Sequence, residues 1–180
     1  NWMQMWDDCM REGGSLPHSV PNPYMTGGGP YWCSFVIMAS WQTYLNYGDS
    51  RLLERYYPMM QEWLGYVEKY SVDGLLRPWP SEWYRHWYLG DWLAPDGVDY
   101  KNTTSVDLVN NCVVSQSFDL MSKIATVLGK ADDAAKYKTQ HDEINKLIHK
   151  EFFNEKTATY ASGSQIDMSY PLTVGVAEGD

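Results

Sequence analysis

Cysteine is scarce in this sequence, and so is positive charge. The three cysteines, Cys9, Cys33 and Cys112, are widely spaced and form no pair motif. An odd number without metal-ligand spacing argues against a disulfide framework and favours free, mostly buried thiols, which leaves the compartment open. Lysine and arginine number 14 against 23 aspartates and glutamates, for a net charge of −9. That balance disfavours nucleic acid and anionic membrane as partners. No apolar run reaches membrane length, and no signal peptide is present. The missing leader carries little weight, because Asn1 falls inside what reads as a helix. The chain reads as a piece of a longer protein. His18, His86, His141 and His149 show no metal spacing. The triplet Gly27-Gly28-Gly29 has neither a following phosphate-loop lysine nor a preceding strand, so it reads as a turn. Ser34, Ser40 and Ser115 lie in no nucleophile-elbow context.

Aromatics are abundant: 9 Trp and 14 Tyr in 180 residues. That length suffices for one domain with a real core. The densest stretch runs from Trp79 to Leu93. It holds Trp79, Trp83, Trp87 and Trp92 with Tyr84 and Tyr88, and among them Glu82, Arg85, His86 and Asp91. No helical or strand period accounts for it, and Pro78 and Pro80 argue against a regular element. Aromatic faces with interspersed carboxylates suit a sugar, because rings cover its C–H faces and charged groups hold its hydroxyls. A loop that plugs the core with tryptophans would show the same composition.

The remainder reads as helices. Asn1 to Arg11 has apolar residues at three-and-four spacing and stops at Gly13-Gly14. Trp32 to Tyr47 is apolar on nearly every side between Phe35 and Trp41, which predicts a buried helix. Gly48 ends it, and Asp49 or Ser50 caps the next helix, which runs to about Ser71. The stripe of that helix is Leu53, Tyr56, Met60, Trp63 and Val67, with Pro58 as a possible kink point. Val72 to Thr104 is a long loop, of the kind usually tied to function. A helix then runs from a cap at Thr104 or Ser105 to Leu128, with Val109, Val113, Leu120, Ile124 and Leu128 as its stripe and a polar front at Asn110 and Asn111. Ala131 to Phe153 is amphipathic through Ala134, Tyr137, His141, Ile144, Ile148 and Phe152. Asp132 and Asp133 read as solvated helix charges. Asn154 to Gly163 turns, and a last helix starts near Ser164 or Gln165, with Pro171 inside it.

Buried and amphipathic helices therefore alternate. Tight turns at Gly48 and Gly129 join each buried helix to the next amphipathic one, and long loops join the amphipathic helices to buried ones. This pattern predicts an all-α chain, an α/α toroid in which the long loops gather on one face. A full ring takes about twice this many helices, so the chain makes up about half of one.

The loop-rich face then collects Trp32, Glu82, His86, Asp91, Trp92 and Asp96. Hydrolysis of a glycosidic bond needs two carboxyl groups flanking it. Glu82 and Asp91 are formally such a pair. Asp91, between Gly90 and Trp92, suits a substrate-hydroxyl acceptor better than a bond-breaking acid.

Several segments resemble the catalytic domain of bacterial α-L-rhamnosidases, glycoside hydrolase family 78. They are Gly14-Ser15-Leu16-Pro17-His18-Ser19-Val20-Pro21, Trp32, Tyr47-Gly48-Asp49, Gly90-Asp91-Trp92-Leu93, Ile124 to Gly129, and Ser164-Gln165, in order over nearly the whole chain. The resemblance implies that 1–180 is part of a single (α/α)6-barrel domain and that the whole enzyme removes terminal α-L-rhamnose with inversion. It implies no cofactor and no metal. It places Trp32 and Trp92 as pocket tryptophans, with Asp91, Glu82 and His86 as further substrate contacts. The sequence departs from the family at Ser34, where the family usually has aspartate. The family's general acid lies upstream of the first helix and its general base beyond Asp180, so no catalytic residue is expected within the chain. Two other readings stand beside this one. One is another α/α-toroid carbohydrate enzyme, a glucosidase or phosphorylase relative. The other is a non-catalytic sugar-binding module.

Overall fold

A computed structural model describes residues 2–22, 27, 29–78, 88–91 and 103–177. Helix α1 spans Trp2–Asp8, α2 Pro30–Cys33, α3 Phe35–Tyr47 and α4 Arg51–Lys69. A hairpin of β1 (Ser71–Val72) and β2 (Leu75–Leu76) follows. Helices α5 (Thr103–Val127) and α6 (Ala131–Phe152) come next, then a second hairpin, β3 (Phe153–Asn154) with β4 (Thr159–Tyr160), and last α7 (Gln165–Thr173). The described residues are mostly helical, as expected.

The same unit occurs twice. An inner helix (α3, α5) ends at a left-handed glycine, Gly48 with φ 67° or Gly129 with φ 69°, and the chain reverses into an outer helix (α4, α6). Glycine adopts that backbone without a Cβ penalty. Each outer helix then leads into a two-stranded antiparallel hairpin. Ser71 pairs with Leu76 and Val72 with Leu75 in the first, and Phe153 with Tyr160 and Asn154 with Thr159 in the second. Helix α5 is the centre of the assembly and packs on α2, α3, α6 and α7. Its residues Leu108 to Ser115 are all buried.

The expected stripes form the core. Leu53, Tyr56, Met60, Trp63 and Val67 on α4 are all at most 1% exposed. Tyr137, Ile144, Ile148 and Phe152 of α6 are buried against α5, and His141 sits at the boundary. Pro58 lies inside α4, and Pro171 inside α7.

Six expectations need correction. The helix expected over Trp32–Tyr47 begins at Pro30 and breaks at Ser34, which ends α2 and starts α3. The second half of α3 is not buried, since Leu45 is 57% and Tyr47 80% exposed. The stretch read as loop from Val72 opens with a hairpin turned by Asp73 (φ 53°) and Gly74 (φ 80°), a pairing suited to a two-residue hairpin turn. The turn expected over Asn154–Gly163 is likewise a hairpin. Asn110 and Asn111 are no solvated front, because both are fully buried. Asn111 Oδ1 accepts from the Leu76 amide at 2.8 Å, and its Nδ2 donates to the Leu76 and Asp107 carbonyls at 2.9 and 2.8 Å. One side chain thereby satisfies both backbone groups of a buried strand residue. Asp133 is no purely solvated charge either: it accepts from Tyr57 at 2.9 Å and ties α6 to α4.

Candidate functional site

The chain enters each inner helix from one face of the bundle. Gly29 is extended, and Pro30 occupies the first turn of α2, where a missing amide costs nothing. This places Tyr31 and Trp32 at the rim. The buried Cys33 thiol faces the Leu16 and Pro17 carbonyls at 3.5 and 3.4 Å, which pins the preceding loop to α2. His18 then lies over Trp32, ring centroids 4.7 Å apart. Burial lowers the His18 pKa, so the imidazole favours its neutral form. Tyr31 stands edge-on to Trp32 at 5.2 Å and edge-on to Tyr170 of α7 at 6.3 Å. The Tyr170 hydroxyl donates to Asp91 Oδ2 at 3.2 Å. Burial, then the neighbouring Tyr31 and Asp91, raise the Tyr170 pKa and hold it as a donor.

Asp91 reaches this position because Tyr88, Leu89 and Gly90 are buried beneath it. A Cβ on Gly90 would sit 3.2 Å from Val106 Cα, so the absent side chain lets the segment lie directly on α5. The close approach at Gly90 is therefore made to a helix of the same chain. Tyr88 donates to the Leu76 carbonyl at 3.1 Å, and burial raises its pKa. Just below, Arg77 bridges Asp107 at 3.0 Å and Glu151 at 2.7 Å, joining β2, α5 and α6. Asp107 has a raised pKa because burial outweighs the help of Arg77.

Ser34, where an aspartate was the family expectation, is 1% exposed, and its Oγ lies 2.9 Å from Ser117 Oγ on α5. The fully buried Asp167 at the start of α7 accepts from Ser105 Oγ at 2.8 Å, the Ser162 amide at 2.9 Å and Ser162 Oγ at 2.5 Å. It locks the N-terminus of α7 to that of α5. Cys112, beside it, has its pKa pushed up to about 12 by burial first and then by Asp167, so it stays a thiol.

The structure thus brings Trp32 and Asp91 to one face through Tyr31 and Tyr170. Glu82, His86, Trp92 and Asp96 lie outside the described residues. Sequence reasoning missed Tyr31, Tyr170 and Asp167. Tyr31 adjoins a singled-out tryptophan and Asp167 follows the Ser164-Gln165 motif, but nothing local marks Tyr170. Among the described residues no three His, Cys, Asp or Glu side chains converge on a metal position. Among them, too, no helix is long and apolar enough to cross a membrane.

The model of the bacterial alpha-L-rhamnosidase 6 hairpin glycosidase domain matches residues 1–180. The chain belongs to that family. An α-L-rhamnosidase of Streptomyces avermitilis is 32% identical over 180 residues, covering 97% of this chain and 15% of its own length. One of Formosa agariphila is 28% identical over 170 residues, covering 90% of this chain and 18% of its own. A solved α-L-rhamnosidase from Dictyoglumus thermophilum superposes with a TM-score of 0.82 at 27% identity, over 98% of this chain and 19% of that one. A solved α-L-rhamnosidase from Streptomyces avermitilis in complex with L-rhamnose gives 0.81 at 25% identity, over 98% of this chain and 16% of that one. The chain therefore spans less than a fifth of the length of these rhamnosidases.

Proposed function

We propose that the chain is part of the single (α/α)6 catalytic domain of an inverting α-L-rhamnosidase that releases terminal L-rhamnose from glycosides or polysaccharides. The observation that carries this reading is the joining of Trp32 and Asp91 on the loop-rich face, in a chain that superposes on a rhamnosidase solved with L-rhamnose. Trp32 offers a ring face to the sugar, and Asp91 offers a carboxylate to its hydroxyls. Trp92, Glu82 and His86 complete the proposed wall. The acid and base that break the bond come from the rest of the domain, and the reaction uses no cofactor.

Two measurements on the whole enzyme test the reading. Proton NMR of aryl α-L-rhamnoside hydrolysis should show β-L-rhamnose forming first, and α-L-rhamnose as first product would overturn inversion. Asp91→Ala should lower kcat/KM about ten- to a few-hundredfold, the worth of about 1.5–3 kcal/mol for a hydrogen bond to a charged group. Unchanged kcat/KM in folded protein would remove Asp91 from the sugar site.

A further inference from the structure

We infer that Tyr170 is a positioning residue for sugar recognition, which sets the Asp91 carboxylate relative to Trp32. The inference rests on the sugar-binding role of Asp91 proposed above. Asp91 sits in the irregular segment ahead of α5, and Trp32 sits at the start of the other inner unit. The two belong to different segments, and a pocket needs their spacing held to a fraction of an ångström. Tyr170 reaches both sides from a third element, helix α7. Its hydroxyl donates to Asp91 Oδ2 at 3.2 Å, and its ring makes an edge-type contact with Tyr31, the neighbour of Trp32.

Helix α7 is itself fixed. Ser164 caps it by accepting from the Asp167 amide, and the buried Asp167 carboxylate binds Ser105 of α5. Tyr170 therefore refers Asp91 to the rigid helical core and not to another loop. A donor fixed on one carboxylate oxygen sets the plane of the carboxylate. That plane decides which sugar hydroxyls align with it, so the contact acts on recognition and not on bond breaking.

A double-mutant cycle in the whole enzyme tests this with Tyr170→Phe and Asp91→Asn. Phenylalanine keeps the ring against Tyr31 and removes the hydroxyl, which interacts with Tyr31 as well as Asp91, so the melting temperature is measured alongside to separate a loss of stability from a loss of recognition. Tyr170→Phe should lower kcat/KM for an aryl α-L-rhamnoside about five- to thirtyfold, mainly through KM. In the Asp91→Asn background the same change should have no further effect, because Tyr170 acts through Asp91. Equal losses in both backgrounds, or an undiminished kcat/KM for Tyr170→Phe where Asp91→Asn is impaired, would overturn the inference and leave the role of Asp91 intact. Full activity of Asp91→Asn would instead overturn the role of Asp91, and the inference with it.

Discussion

At the scale of single residues, the charges that matter are those with a fixed partner. Asp49, just ahead of α4, accepts from the Arg51 amide at 3.0 Å and from its Nε at 2.9 Å, and pairs with its guanidinium at 2.5 Å. Of the two capping candidates for α4, Ser50 holds the N-cap position but donates to Glu54 and makes no capping bond, while the Asp49 carboxylate one residue ahead takes the Arg51 amide. The Arg51 side-chain bond is the main cause that lowers the Asp49 pKa from 3.8 to about 2. A carboxylate with a depressed folded pKa stabilises the fold above its unfolded pKa and ceases to do so below the folded one. Its contribution is therefore complete above 3.8 and is lost as the pH falls through about 2. Carboxyl NMR should find the Asp49 midpoint near 2, moving back towards 3.8 in high salt because the pair is exposed. A midpoint of 3.8 at low salt would show that the pair does not form.

At the scale of elements, the helices were legible because each carries one unbroken apolar stripe, as Leu53 to Val67 shows. What escaped the sequence depended on partners far along the chain. Asn111 looks like a surface residue until Leu76 is brought against it. Tyr170 gains meaning only from Asp91. The Asp73-Gly74 turn carried a local signal, but the aromatic density beyond it drew the whole stretch into one loop. The break at Ser34 has no proline or glycine at the junction to announce it. Asn111 also gives the sharpest test of how β2 is held. Asn111→Ala would leave the buried Leu76 amide without its side-chain partner and the Leu76 carbonyl with Tyr88 alone. The expected cost is about 1–3 kcal/mol, read as a lower denaturation midpoint at constant m. Hydrogen exchange at the Leu76 amide should accelerate along with it. A loss below about 0.5 kcal/mol would mean that water takes over both bonds.

At the scale of the whole molecule, the repeated helical unit explains why one face collects chemistry. Every inner helix starts there, so every long connection ends there. Successive units bring residues such as Trp32, Asp91 and Tyr170 together although no short motif joins them. The same construction leaves work undone at the other edges. Trp2 is 58% exposed and Met5 40% on α1, Leu45 57% and Tyr47 80% on α3, and Leu172 52% on α7. Large apolar side chains left in water on helices built to pack favour association. The polypeptide of residues 1–180, prepared alone, should therefore sediment as a concentration-dependent mixture and bind a hydrophobic dye. It should also fail to turn over an aryl α-L-rhamnoside. The carboxylate of Asp91 accepts from the Tyr170 hydroxyl at 3.2 Å, and the family resemblance places both the acid and the base outside these residues. Turnover by the purified polypeptide would show that the pair lies within it, and Glu82 and Asp91 would be the first residues to replace. A monomer without dye binding would show that the exposed side chains of α1 and α3 find cover within this chain.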